Sequence, residues 1–137
     1  MTATRKITES ENILAKLQNL SNEQFWLELD NFIKTVHDVF SHLLEEYNVK
    51  FDCKVERISL EKFKVKAKKT GNIGAINFLI WYEKEYKKIR NNSEFGYLLE
   101  RNGDHNHDNT NHTNIINACI MLLNETKAMA YYAYENF

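Results

Sequence analysis

"VKFDCKVERISLEKFKVKAKKTGNIGAINFLIWY", Val49 to Tyr82, is the stretch whose reading decides the fold. Val49, Phe51, Cys53 and Val55 alternate with Lys50, Asp52, Lys54 and Glu56. After a turn near Ser59, Phe63, Val65 and Ala67 alternate with Lys62, Lys64, Lys66 and Lys68. A period of two is what a half-buried strand requires, because successive side chains leave opposite faces of the pleat. The pattern predicts an antiparallel hairpin with Asp52 and Glu56 available for cross-strand pairing. "TGNIG", Thr70 to Gly74, reads as the next turn, since glycine tolerates the backbone angles a tight reversal needs. "AINFLIWY" is apolar on both faces, as in a central strand, and "EFGYLL", Glu94 to Leu99, reads as a fourth strand. Between them "EKEYKKIR", 83–90, fits strand continuation or a helical turn equally.

The flanks carry a helical period instead. Thr8 and Glu11 have capping-box spacing ahead of Ile13, Leu14, Leu17 and Leu20, which predicts a short helix over about residues 9–19. Ser21 and Gln24 repeat the box, and Leu20 with Phe25 forms a hydrophobic staple around it. From there Phe25, Trp26, Leu29, Phe32, Ile33, Val36, Val39, Phe40, Leu43, Leu44 and Tyr47 fall on one arc of about 140° at ~100° per residue. A last helix starts near Thr113, with Ile115, Ile116, Cys119, Leu122, Leu123, Met129, Ala130, Ala133, Tyr134 and Phe137 on its core face. The expected architecture is therefore α+β: two N-terminal helices, a four-stranded antiparallel β-meander, and a C-terminal helix packed on the same sheet face. No repeat or linker interrupts residues 1–137, so a single domain is expected.

The chain has 137 residues, 43% of them hydrophobic and 27% charged, which suits a folded domain rather than a disordered one. Cys53 and Cys119 show no ligand or redox spacing and read as reduced core thiols. The opening segment lacks a signal-type apolar run, and no stretch approaches a membrane span of about 18 apolar residues. The expectation is a small soluble cytoplasmic protein with no membrane partner.

A net charge of −1 hides a blocky distribution: −4 over residues 1–49, +7 over 50–90, and −4 over 91–137. Such a dipolar surface steers charged partners. On the expected sheet, Lys50, Lys54, Lys62, Lys64, Lys66 and Lys68 share one face, and Trp81 emerges among them beside Leu79. Lysines around an aromatic ring suit phosphate neutralisation together with base stacking. The function expected is a small non-enzymatic binding protein whose basic sheet face engages an anionic partner, either nucleic acid or an acidic protein surface. The competing reading is a small-molecule or metal-binding domain, possibly enzymatic, with a pocket between sheet and helices.

"RNGDHNHDNTNHTNI", 101–115, is the one metal-like composition. His105, His107 and His112 are sound zinc ligands chemically, but their spacing matches no established closed site and suits a polar capping loop better. His37 and His42 point about 140° apart on the long helix and cannot share a metal. Catalytic signatures such as HExxH, GxSxG and the phosphate-binding glycine loops are absent, and no cofactor is expected. "GNIG" has the form of a GxxG clamp but reads as a hairpin turn. Met121, Ala128 and Tyr132 form a second stripe on the last helix, and the expected assembly is a homodimer through that stripe.

Overall fold

The long apolar stripe does become a helix, and everything else is arranged around it. The structure is a computed structural model that describes residues 2–100 and 112–137. They form α1 (Thr2–Leu17), α2 (Asn22–Lys50), α3 (Leu60–Thr70), α4 (Ile73–Arg90) and α5 (His112–Asn136), with a 3-10 turn at Gly96–Glu100. No strand occurs among the described residues, so the expected α+β meander is overturned. All of the stripe residues expected on α2 are buried. The first helix begins at Thr2 rather than near residue 9, and Thr8 lies inside it, donating to the Thr4 carbonyl instead of capping.

The correction in the middle of the chain has a local cause. Phe63 and Ala67 are four residues apart, a spacing that alternation and a helical face share. In the structure only this pair is buried, while Val65 between them is 63% exposed. Ser59 starts α3, its side chain accepting from the Lys62 N–H at 3.2 Å, with Glu61 in the first turn and Lys68 and Lys69 in the last. Gly71 closes it at φ 64°; its N–H donates to the Lys68 carbonyl and the Asn72 N–H to the Ala67 carbonyl, a Schellman pair. Asn72 then caps α4, its side chain accepting from the Ala75 N–H at 3.1 Å. "TGNIG" is thus a helix stop and a helix start sharing one junction. Lysine, glutamate and alanine are strong helix formers, and here that propensity outweighs the alternation.

The first supposed strand is a loop with an in-and-out rhythm. Asp52, Lys54 and Arg57 have positive φ (54°, 55° and 48°), which turns Cys53 inward and leaves its neighbours exposed. Left-handed conformations at non-glycine residues cost about 1 kcal/mol or more each and need external support. Two asparagines supply it. Asn48 donates to the Val55 carbonyl at 2.9 Å and accepts from the Val55 N–H at 3.0 Å, and Asn72 donates to the Phe51 carbonyl at 2.8 Å.

Contacts between helices fix their directions. Glu46, near the end of α2, accepts from the Ala3 N–H at 3.0 Å and from the Tyr134 hydroxyl at 2.7 Å, so the start of α1 and the end of α5 both meet the end of α2. His112, at the start of α5, stacks on Phe25 at 3.8 Å, at the start of α2. Against the same helix α4 runs the other way: Phe78 stacks on Tyr47 at 4.2 Å, Tyr86 meets Phe40 edge-on at 4.9 Å, and the Tyr82 hydroxyl donates to the Phe40 carbonyl at 3.1 Å. The result is an up-down-up-down arrangement of α1, α2, α4 and α5, with α3 inserted where the chain turns from α2 to α4.

Several ionisable groups are held neutral by this core. Burial pushes Tyr47 up to about 12 from its ordinary 10.0, helped by the Glu46 charge. Burial also raises Tyr82, with Tyr86 adding to it, and raises Tyr134, where the hydrogen bond to Glu46 adds further. Cys119 is pushed up to about 12 by burial. In the unfolded chain these groups release protons that the folded chain retains, so the stability they contribute is full below pH 9.0 for Cys119 and below pH 10.0 for the tyrosines, and is lost as pH rises toward 12. We expect helix loss and a cooperative rise in tyrosinate absorbance to coincide in that window. Full tyrosine ionisation with the circular-dichroism helix signal intact at pH 12 would contradict this assignment of the core.

Candidate functional site

The lysines expected on one sheet face are divided by the helix. Lys62, Lys66 and Lys69 fall at i, i+4 and i+7 on the outer side of α3, and with Lys54 from the preceding loop they line a shallow groove of about 430 Å³. Val55 and Val65 lie between them, and Glu61 is the one acidic residue of the lining. Lys66 lies close enough to the buried Cys53 thiol for its charge to oppose the rise that burial imposes on that group. Among the described residues no carboxylate forms an ion pair with Lys62, Lys66 or Lys69; Lys62 donates to the Arg57 carbonyl at 3.3 Å, and Lys54 lies 3.9 Å from Asp52.

The other expected members lie elsewhere. Lys64 is held by Glu83 at 2.9 Å and Glu61 at 3.8 Å, and the Glu83 hydrogen bond holds its ammonium above the usual lysine range. Glu83 is lowered in turn by its hydrogen bonds to Lys64 and Lys87. Lys64 and Lys68 border a separate small groove of about 280 Å³ against α4, floored by Ile76, Leu79 and Ile80. Lys50 sits over the Tyr47 ring at 5.5 Å. A six-lysine face therefore does not exist, because alternate positions diverge on a helix.

Trp81 is not among the lysines at all. It is half-buried between α4 and α5, stacked on Tyr132 at 5.2 Å and leaning on Phe137 at 5.3 Å. A groove of about 570 Å³ follows the two helices from there, with Lys84, Lys88 and Ile89 on the α4 wall and Glu125, Ala128 and Met129 on the α5 wall. Ala128 and Tyr132 are exposed at its edge, whereas Met121 is half-buried against the core, so the expected stripe is shortened by one residue.

The three described histidines, His37, His42 and His112, are engaged at separate places. His105 and His107 lie outside the described residues. His112 is packed flat on Phe25 and edge-on to Trp26 at 5.6 Å, which gives it a role in the α2–α5 contact. Among the described residues no group of three His, Cys, Asp or Glu side chains is placed to hold a metal ion. His37 bonds the Leu99 carbonyl at 2.9 Å, and His42 pairs with Glu45 at 3.1 Å. The expected pocket between sheet and helices is overturned with the sheet; the grooves described above lie between α4 and α5, between α3 and α4, and between α3 and the loop before it. No described helix is long and apolar enough to cross a membrane.

No family model, curated protein or solved structure matches the chain.

Lys69, Val55, Lys84 and Glu125 were missed as site residues. Once α3 is read with a 3.6 period, Lys62, Lys66 and Lys69 align in the sequence itself; the approach of Lys54 and Val55 is set by the Asn48 clasp and has no sequence signature. Replacing that clasp, Asn48→Ala, should leave both Val55 backbone groups unpaired and cost about 1–3 kcal/mol. Chemical denaturation should show that loss, and hydrogen exchange should quicken at Val55. Unchanged protection there would mean the groove wall does not depend on Asn48.

Proposed function

We propose that this chain is a binding protein whose α3 groove engages an acidic segment of another protein. The observation that carries the reading is the set of Lys54, Lys62, Lys66 and Lys69 around Val55 and Val65. Lysines supply the charge match, and the exposed Val65 supplies apolar area that an acidic partner's aliphatic side chain can desolvate. The two charge-rich wings of −4 leave this +7 block as the natural landing site for a negative partner. Nucleic acid fits less well, because no aromatic ring lines the groove to stack a base, and Trp81, the ring expected to do so, is committed to Tyr132. An acidic amphipathic helix has the right shape and periodicity: glutamates four residues apart match the lysine spacing on α3.

The test uses a labelled peptide with glutamates at i, i+4 and i+7 around two leucines, followed by fluorescence anisotropy. Lys62→Glu with Lys66→Glu should weaken binding by about tenfold or more, since like charges then face each other. Lys16→Glu with Lys34→Glu, an equal charge change at the end of α1 and the middle of α2, away from the groove, should leave affinity within about threefold at physiological salt, where separation screens it. Equal losses in the two variants would reduce the groove to a net-charge effect. A labelled single-stranded oligonucleotide bound more tightly than the peptide would transfer the reading to nucleic acid.

A further inference from the structure

The α4–α5 groove is built differently from the α3 groove, and its features are complementary to one another. Phe78 meets Phe137 edge-on at 5.5 Å and Trp81 stacks on Tyr132 at 5.2 Å, an order that makes the two helices antiparallel, and each seven-residue advance along either one covers about 10 Å. Lys84 lies on one wall and Glu125 on the other, and among the described residues neither has an ion-pair partner. Lys88 is engaged by Glu85 at 3.6 Å. Between the charged walls, α5 presents Ala128, a small exposed residue, and one turn later Tyr132, whose ring side chain is 49% exposed. The α5 edge of the groove thus carries a small residue at its centre, a carboxylate on one side and a half-exposed aromatic ring on the other.

We propose that a second copy of this chain occupies this groove, α5 against α5, about a twofold axis passing near Ala128. Ala128 lets the two α5 edges approach closely at the axis, as small residues do where helices cross. Antiparallel pairing about that point sets the partner's Tyr132 about four residues beyond Ala128 toward the start of α5, level with Ile89 on α4. The same operation brings the partner's Glu125 to the level of Trp81 and Lys84, where the lysine stem can reach it. Twofold symmetry repeats each contact, so two ring insertions and two Lys84–Glu125 pairs form at once. The α5 edge of one protomer enters the trough of the other, and Lys84 and Glu125, which have no ion-pair partner among the described residues, become partners. Lys62 and Lys66 lie on α3 and take no part in it, so this assembly stands or falls separately from the acidic-partner reading.

Sedimentation velocity over a dilution series of the full chain tests it. Wild type should show a reversible monomer–dimer equilibrium. Lys84→Glu should weaken the dimer by about tenfold or more by setting two carboxylates against each other, and Lys84→Glu with Glu125→Lys should restore it to within about threefold. Ala128→Arg, which crowds the axis with bulk and like charge, should leave monomer only, while circular dichroism confirms an intact helical fold. Wild type that is monomeric at every concentration overturns the proposal. A dimer indifferent to Lys84→Glu, or one that the charge swap fails to restore, overturns it equally.

Discussion

The aromatic seam between α2 and α4 is the contact on which the rest of the architecture depends. Tyr47 against Phe78, Phe40 against Tyr86, and the Tyr82 hydroxyl on the Phe40 carbonyl fasten the second half of the chain to the first. Each ring pair contributes about 0.5–1.5 kcal/mol beyond the area it buries, and the hydroxyl bond about 1 kcal/mol more. Their geometry also sets a direction. Phe78 meets Tyr47 while the later Tyr82 and Tyr86 meet the earlier Phe40, which leaves α4 antiparallel and brings its far end to the 3-10 turn, where His37 bonds the Leu99 carbonyl. From there α5 can run back along the same spine.

Both candidate surfaces follow from that placement. With one side of α4 consumed by the seam, the Trp81–Lys84–Lys88 side is left facing α5 across an open trough. The helix α3 is shorter, at 11 residues, and buries only Phe63 and Ala67, so most of its circumference remains in solvent with its lysines. An isolated helix of that length is marginal in water. Here its two ends are fixed by Ser59 and by Gly71, and Asn72 ties the junction to the loop below through Phe51. Gly74 belongs to the same device: a Cβ there would meet the Phe51 ring at 2.8 Å, so only glycine lets that ring rest against the first turn of α4. The basic groove is therefore a consequence of an anchored turn, with no disulfide among the described residues to hold it.

How much of this was legible in the sequence depended on length. α2, with 29 residues, and α5, with 25, carry enough turns for a 3.6 period to stand out, and their core faces were read nearly as observed. Over 60–70 the four-residue spacing of Phe63 and Ala67 fits strand and helix alike, and the intervening Val65 completes an alternation that favours the strand. The caps argued the other way: Ser59 before Glu61, lysines before Gly71, and Asn72 ahead of an apolar run are helix starts and stops. At 51–57 the alternation was real in burial but arose from left-handed residues, a conformation that composition does not disclose. The site suffered accordingly. A six-lysine face belongs to a pleat and not to a helix, the pairing of Trp81 with Tyr132 joins the expected basic face to the expected α5 stripe, and the Asn48 and Asn72 clasps are side-chain contacts across a loop with no motif.

The central claim is that residues 60–90 form two helices, α4 docked on α2 and α3 packed on α4, rather than strands of a β-meander. Backbone chemical shifts measured residue by residue in solution test it most directly. Helical carbon shifts across Leu60–Thr70 and Ile73–Arg90, broken only at Gly71 and Asn72, with nuclear Overhauser contacts from the Tyr82 ring to Phe40, are the predicted result. Extended-strand shifts over 62–68 and 75–82, with cross-strand amide contacts between them, would contradict the fold and both surfaces built on it.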